Sequence, residues 1–198
     1  MSTQQISLKQ AALPSLGLVL LGVFIYYFSG LELSLSGNLF ADFSSARLFM
    51  VVLSGGLLGV VIYVITFYLS RLLFISVPSL RDLFTQLRHL FAVLSWPGII
   101  LLSCSAGIGE ELLIRGILQT SLVNHLGSWA GVLIASLIFG IMHAMSLIYV
   151  VVTFLLGLVF GVLYILTDSL ALIMMAHTVY DILAFAVIVK YPSLLKLP

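Results

Sequence analysis

Apolar segments of about 20 residues follow one another through most of this chain, and few charged residues separate them. Hydrophobic residues make up 62% of the 198 residues and charged residues 8%, whereas soluble domains contain about 25% charged residues. Because a helix of about 20 apolar residues crosses a bilayer, the pattern predicts an all-α, polytopic transmembrane helical bundle of about 6–7 spanning helices. We therefore expect a multi-pass integral membrane protein in a bacterial-type cytoplasmic membrane.

The predicted spans are separated by short polar segments. They are 11–31, 48–70, 90–107, 108–125, 128–145, 147–167 and 169–190. The first lacks a convincing small-residue cleavage site, which favours a retained signal-anchor over a removed signal peptide. A basic loop at 71–89 contains a predicted interfacial helix around 79–89. We expect one compact membrane domain, with N-terminal helices and the basic loop at 1–89 and a helical core at 90–190.

The glycines, the charge balance and the single cysteine add three expectations about packing and partners. Glycines spaced four apart predict close helix contacts in lipid; these are Gly55/Gly59, Gly127/Gly131 and Gly157/Gly161. Eight basic against seven acidic residues provide no basic stripe for phosphates, so we expect no nucleic-acid partner. The single cysteine, Cys104, has apolar neighbours and is predicted to be a packed thiol.

Ionisable residues inside the predicted core are concentrated in three fragments. These are Glu110-Glu111-Leu-Leu-Ile-Arg115, Phe139-Gly-Ile-Met-His143 and His177-Thr-Val-Tyr-Asp181. A charge in hydrocarbon costs about 2.5–3.5 kcal/mol on insertion scales, so a cluster of such residues predicts a functional site.

The two adjacent glutamates are predicted to face different surroundings. Residues four apart share a helix face, so Glu111 and Arg115 can form an ion pair. Glu110 is then turned away and is free to face a water-filled cavity, where a carboxylate can act as a general base. The structural alternative is that both glutamates cap a helix N-terminus after Gly109, where the helix dipole favours carboxylates.

The two histidines are expected to reach the level of Glu110. The helix that ends near His143 runs antiparallel to the one that follows Glu110, and Phe139 shares the face of His143 and can wall the cavity. On the last helix Asp181 can orient His177 as a donor to a developing oxyanion. The structural alternative for His143 is a histidine packed in the core. For His177 and Asp181 it is a polar contact that holds two helices together.

The ordered fragments resemble the CPBP family of intramembrane glutamate endopeptidases, which includes CAAX prenyl protease 2 and bacteriocin-processing (Abi) proteins, over about residues 90–190. The resemblance implies that Glu110 and His143 activate the attacking water, without a metal or another cofactor. It also implies that His177 and the residue at 181 stabilise the oxyanion. Prenyl-processing members typically carry asparagine where this chain has Asp181. An ionised carboxylate cannot donate to an oxyanion, so we assign Asp181 to orienting His177.

The sequence therefore predicts an endopeptidase that cleaves a membrane-associated peptide or protein with an apolar or lipidated segment, without a covalent intermediate. Glu111 and Arg115 are expected to support its site. A zinc-dependent variant would use Glu110, His143 and His177 as ligands, although the chain lacks an H-E-x-x-H motif.

The same residues are also compatible with other classes of protein and with other mechanisms. A non-catalytic membrane scaffold or immunity-type protein would keep the polar cluster for folding or peptide binding. A serine mechanism would use Ser103, Ser105 or Ser146, although small hydroxyls are common packing and capping groups in membrane helices. A transporter is disfavoured because the chain shows no inverted repeat of broken helices.

Overall fold

A computed structural model describes residues 16–17, 19–25, 27 and 45–197, and no strand occurs among them. The helices are α1 (Ser45–Leu73), α2 (Pro78–Phe91), α3 (Trp96–Glu111), α4 (Thr120–Leu126), α5 (Ser128–Met142), α6 (Leu147–Thr167) and α7 (Leu170–Phe185). A π-helical segment at Leu112–Gln119 joins α3 to α4, another at Ala186–Lys190 extends α7, and a 3₁₀ turn follows at Pro192–Leu195. The predicted all-α bundle is confirmed.

Four of the described helical segments are long and apolar enough to cross a membrane: Leu48–Leu73, Trp96–Leu126, Leu147–Thr167 and Leu170–Lys190. α5 is apolar but shorter. Large apolar side chains on their outer faces, such as Leu57 and Ile65, remain exposed, as expected for helices that contact lipid. Of the predicted first span, 11–31, the residues within 16–27 that the structure describes are helical, and the others lie outside the described residues.

The predicted boundary between spans 90–107 and 108–125 is wrong. Residues Trp96–Leu126 form one continuous helical segment of 31 residues. The segment begins with Trp96-Pro97-Gly98. The Ser95 hydroxyl accepts a hydrogen bond from the Gly98 amide and caps this helix end. Glu110 and Glu111 are consequently inside a helix, so the alternative in which they cap a helix N-terminus is also wrong.

Close contacts through glycine set the directions of the helices around α7. A Cβ added at Gly55 would meet Leu172 and Met175, and one added at Gly59 would meet Ala176 and Val179, so α1 runs parallel to α7. By contrast, Gly107 lies against Thr178 and Gly116 against Leu170, so the long helix that begins with α3 runs antiparallel to α7. These contacts support the predicted packing role of Gly55 and Gly59.

α5 and α6 form an antiparallel hairpin beside the second half of that long helix. Gly140 on α5 faces Val150 and Phe154, and Gly157 on α6 faces Ser136. The chain enters α5 through Gly127, whose φ of 87° is accessible to glycine and unfavourable for most other residues. Gly127 therefore serves the turn, with no atom near its missing Cβ, whereas Gly131 packs against Val123.

We expect Gly59→Ala to destabilise the bundle by about 1–3 kcal/mol, a typical cost of overpacking. The added methyl would overlap the Ala176 carbonyl oxygen. Gly56→Ala is the matched control, because no atom lies within 4 Å of its added Cβ. Thermal unfolding in detergent, followed by circular dichroism, compares the variants; equal midpoints would contradict this contact between α1 and α7.

Candidate active site

A cavity of about 310 Å³ lies where α3, α5, α6 and α7 meet beneath α2. α2 contributes an apolar wall that includes Leu83, Phe84 and Leu87. The polar side chains that line the cavity are Glu110, His143, Tyr149, Thr153, His177, Tyr180 and Asp181. The structure thus brings four of the predicted site residues together in one cavity: Glu110, His143, His177 and Asp181.

Glu111 is fully buried beside this cavity, and its carboxylate contacts a guanidinium group and an imidazole ring. Its Oε1 accepts a hydrogen bond from Arg115 Nη1 at 3.1 Å, so the predicted ion pair is present. The same oxygen lies 2.7 Å from His177 Nδ1. Since a carboxylate accepts hydrogen bonds, the Nδ1 proton donates to Glu111, and this contact fixes the direction of the imidazole ring.

Arg115 is also fully buried and connects Glu111 to α6. Its Nη2 donates to the Gly157 carbonyl at 3.1 Å, and one turn later Gln119 Nε2 donates to the Gly161 carbonyl at 3.0 Å. A Cβ at Gly157 would lie 3.2 Å from Ser136 Cβ, so glycine permits the close approach of α5 and α6 here. The two glycines of the predicted pair therefore support the site as well as the packing.

The π-helical segment begins immediately after the two glutamates. Directly after it, the Thr120 hydroxyl donates to the carbonyl of Arg115, five residues earlier, at 2.9 Å. Such segments are rare and are frequent at functional sites. Here the wider helical turn coincides with Arg115, which must reach both Glu111 on its own helix and Gly157 on α6.

Glu110 lies on a different side of the helix from Glu111, and its carboxylate approaches His143. Glu110 Oε2 lies 3.9 Å from His143 Nε2, and 14% of the Glu110 side chain remains accessible. His143 caps the end of α5 and its Nδ1 lies 2.9 Å from the Phe139 carbonyl oxygen, to which the Nδ1 proton donates. In a neutral imidazole this hydrogen bond leaves Nε2 as an acceptor that faces Glu110.

Asp181 lies on the other side of the His177 ring from Glu111. Asp181 Oδ2 is 3.7 Å from His177 Nε2, which is within range of an ionic interaction but longer than a hydrogen bond. The role of Asp181 in orienting the ring stays a prediction, with this ionic contact as its structural basis. Glu111 makes the hydrogen bond, and Phe160 stacks on the ring at a centroid distance of 5.0 Å and an interplanar angle of 19°.

Phe139 lines the cavity next to both histidines. Its ring centroid is 4.7 Å from that of His143 and 6.2 Å from that of His177, and the Arg115 guanidinium lies 4.7 Å from it. Phe139 is buried. One aromatic side chain thus fixes the spacing of both imidazoles and covers the buried arginine.

Three polar cavity residues, Tyr149, Thr153 and Tyr180, were not identified from the sequence. The Tyr149 ring packs edge-on against His143 at 5.6 Å, and Tyr180 packs edge-on against Phe160 at 6.3 Å. Tyr180 is inside the fragment His177–Asp181, where its position one residue before Asp181 could have marked it. Tyr149 had no comparable signal, because it belongs to an apolar run two residues into α6.

The serines considered as nucleophiles have structural partners or positions. The Ser105 hydroxyl donates to the Leu101 and Leu102 carbonyls, Ser146 caps α6 by accepting from the Tyr149 amide, and Ser103 is fully buried. No group of three histidine, cysteine, aspartate or glutamate side chains among the described residues is arranged to hold a metal ion.

Comparisons with known proteins each cover about half of the chain. Residues 92–183 match the family described as Rce1-like, type II CAAX prenyl endopeptidase. The Bacillus subtilis (strain 168) protein YpbD, described as uncharacterized, is 35% identical over 98 residues, which cover 48% of this chain and 47% of YpbD. The chain thus spans about half the length of that relative. No solved structure matches. The resemblance is confirmed for the segment that contains the site: residues 92–183 are similar to the Rce1-like family of type II CAAX prenyl endopeptidases.

Proposed function

We propose that the protein is an intramembrane endopeptidase in which Glu110 and His143 activate a water molecule for attack on a peptide bond. The observation that carries this proposal is the 3.9 Å separation of Glu110 Oε2 and His143 Nε2 at the wall of a partly accessible cavity. Both atoms can accept hydrogen bonds, since the Nδ1 proton of His143 is donated to Phe139.

Two acceptors at this spacing suit a single water molecule. A water oxygen about 2.8 Å from each atom donates one hydrogen to each, with the two directions about 90° apart. Its lone pairs then point away from both acceptors and toward the cavity. During attack the water oxygen bonds to the scissile carbonyl carbon and one of its protons passes to Glu110. Glu110 then returns that proton to the amine that leaves when the carbon–nitrogen bond breaks.

His177 is proposed to stabilise the negative oxygen that forms in this step. Its Nδ1 proton is engaged by Glu111, so a second proton on Nε2 would point toward the cavity and could donate to the oxyanion. Asp181, 3.7 Å from Nε2, favours this charged form of the ring without donating a proton itself. Glu111 and Arg115 act through His177 and are positioning residues.

The walls of the cavity indicate the kind of substrate. Apolar side chains of α2 and α7 surround the polar groups, including Leu87, Phe91 and Phe185. An extended peptide next to an apolar or lipidated segment would bury that segment against them. We propose such a membrane-associated peptide or protein as the substrate, in a bacterial-type cytoplasmic membrane, with residues 90–190 as the catalytic core.

We expect Glu110→Gln to abolish proteolysis and leave the unfolding temperature unchanged. The substitution removes the general base and keeps the size of the side chain, which is partly accessible and forms no hydrogen bond among the described residues. Cleavage of a prenylated peptide with a CAAX sequence and of an unlipidated membrane-spanning peptide, followed by mass spectrometry, measures the loss. Full turnover by the variant on a substrate that the parent cleaves would refute the role of Glu110.

Glu111→Gln is expected to behave differently from its neighbour and to lower stability as well as activity. It leaves the fully buried Arg115 guanidinium without a negative partner, and loss of one member of a buried pair costs about 3–5 kcal/mol. Glu110→Gln is the matched control, since it is the same substitution one residue earlier. Equal unfolding temperatures for the two variants would show that Glu111 does not hold this arrangement together.

Purified protein is expected to contain no stoichiometric zinc and to keep its activity after chelation. The proposed base and the oxyanion donor are side chains, and His177 Nδ1 is already bonded to Glu111. Elemental analysis and an assay after dialysis against a chelator test this expectation. Stoichiometric zinc that disappears in both His143→Ala and His177→Ala would favour the zinc-dependent mechanism instead.

A further inference from the structure

A second, larger cavity lies away from the proposed active site, at the end of α1. It has a volume of about 710 Å³ and is bordered by the last turn of α1, the first half of α2 and the C-terminal tail. Arg71, Arg81 and Lys196 line it, and we call it the basic pocket. Arg81 Nη2 donates to the Lys196 carbonyl at 3.1 Å, which fastens the tail to α2.

The basic pocket carries an excess of positive charge. Three cationic side chains line it with one carboxylate, that of Asp82. Within the described part of the chain, no ion pair joins any of the three cations to a carboxylate. All three cations are exposed. The pocket is therefore complementary to an anion.

An apolar groove of about 290 Å³ lies beside the basic pocket, along α1, α6 and α7. Leu195 lines both the pocket and the groove, and Leu73 of the groove directly precedes Phe74 of the pocket, so the two are adjacent. Along α1 the groove extends from Leu73 to Tyr63, which is about 15 Å at the helical rise of about 1.5 Å per residue. At its far end the Tyr180 ring packs against that of Tyr63 at a centroid distance of 6.2 Å, and Tyr180 also lines the proposed active-site cavity.

Several features place the basic pocket at the level of lipid headgroups. Arg71 lies in the last turn of a segment long enough to span the bilayer. Trp96 and Tyr191, half-exposed aromatic residues at the corresponding ends of α3 and α7, lie 6.3 Å apart. Such aromatic residues are enriched at membrane interfaces, and basic residues there attract anionic lipid. A lipid with an anionic head and an apolar tail could thus place its head in the basic pocket and its tail in the apolar groove.

We propose that the basic pocket and the apolar groove together bind one anionic glycerophospholipid, with its phosphate against Arg71, Arg81 and Lys196 and one acyl chain in the groove. The chain would end at Tyr180. A soluble phosphate compound would fill only the pocket, whereas a lipid would also fill the adjacent groove with its apolar chain.

The test is native mass spectrometry of the full chain in detergent, titrated with phosphatidylglycerol and with phosphatidylcholine of the same acyl chains. Each basic residue near a membrane surface contributes about fivefold to the affinity for anionic lipid. We therefore expect Arg71→Gln to weaken phosphatidylglycerol binding about fivefold. The combined variant R71Q/R81Q/K196Q should lose the preference over phosphatidylcholine. Arg88→Gln, on α2 and outside the lining of the pocket, removes the same charge and should leave binding unchanged.

A groove variant tests the acyl chain separately. Val159→Trp places a large side chain in the groove from α6, so it should weaken binding of long-chain phosphatidylglycerol and spare a dihexanoyl analogue. Unfolding temperatures establish that each variant is folded, and binding is measured independently of proteolysis. Equal effects of Arg71→Gln and Arg88→Gln, equal binding of the two headgroups, or no effect of Val159→Trp would overturn the proposal. Displacement of the bound lipid by a prenylated peptide and not by glycerol phosphate, with no effect of the basic-pocket variants, would assign the groove to substrate and would also overturn it.

Discussion

One carboxylate oxygen, Oε1 of Glu111, accepts hydrogen bonds from both Arg115 and His177 where water does not reach, and the rest of the site depends on this contact. A buried carboxylate is stable only if it is paired and hydrogen-bonded. Through Arg115 the same contact reaches Gly157 on α6, so three helices are joined at one point. The imidazole of His177 is held between Glu111 on one side and the Phe160 ring on its face.

This contact explains why two adjacent glutamates can have different roles. Adjacent helical positions diverge by about 100°, so when Glu111 points into the bundle, Glu110 must point toward the cavity. Glu110 then has His143 at 3.9 Å and access to water, which supports its proposed role as the base. Phe139 keeps the surroundings of the two glutamates distinct, because it covers the Arg115 guanidinium and contacts both histidines.

Contacts within one helix were predictable from the sequence, while contacts between helices were only partly so. The pair of Glu111 and Arg115 follows from their spacing of four, and apolar length located α1, α6 and α7. The bond from Glu111 to His177 joins residues 66 positions apart and depends on how two helices are rotated about their axes, which spacing does not specify. The false boundary between residues 107 and 108 arose because the 31-residue segment Trp96–Leu126 is longer than one span needs and carries Glu110 and Glu111 near its middle, where a short loop between two spans would also carry polar residues.

The most direct test of this account is a double-mutant cycle on the free energy of unfolding, with Glu111→Gln, His177→Gln and the combined variant in detergent. A buried, charge-assisted hydrogen bond predicts a coupling energy of about 1.5–3 kcal/mol between the two positions. The parallel cycle with Glu110→Gln and His177→Gln should give a smaller coupling energy, because among the described residues no hydrogen bond joins Glu110 to His177. Additive effects of Glu111→Gln and His177→Gln would contradict the central claim, because the histidine would then be held by other contacts.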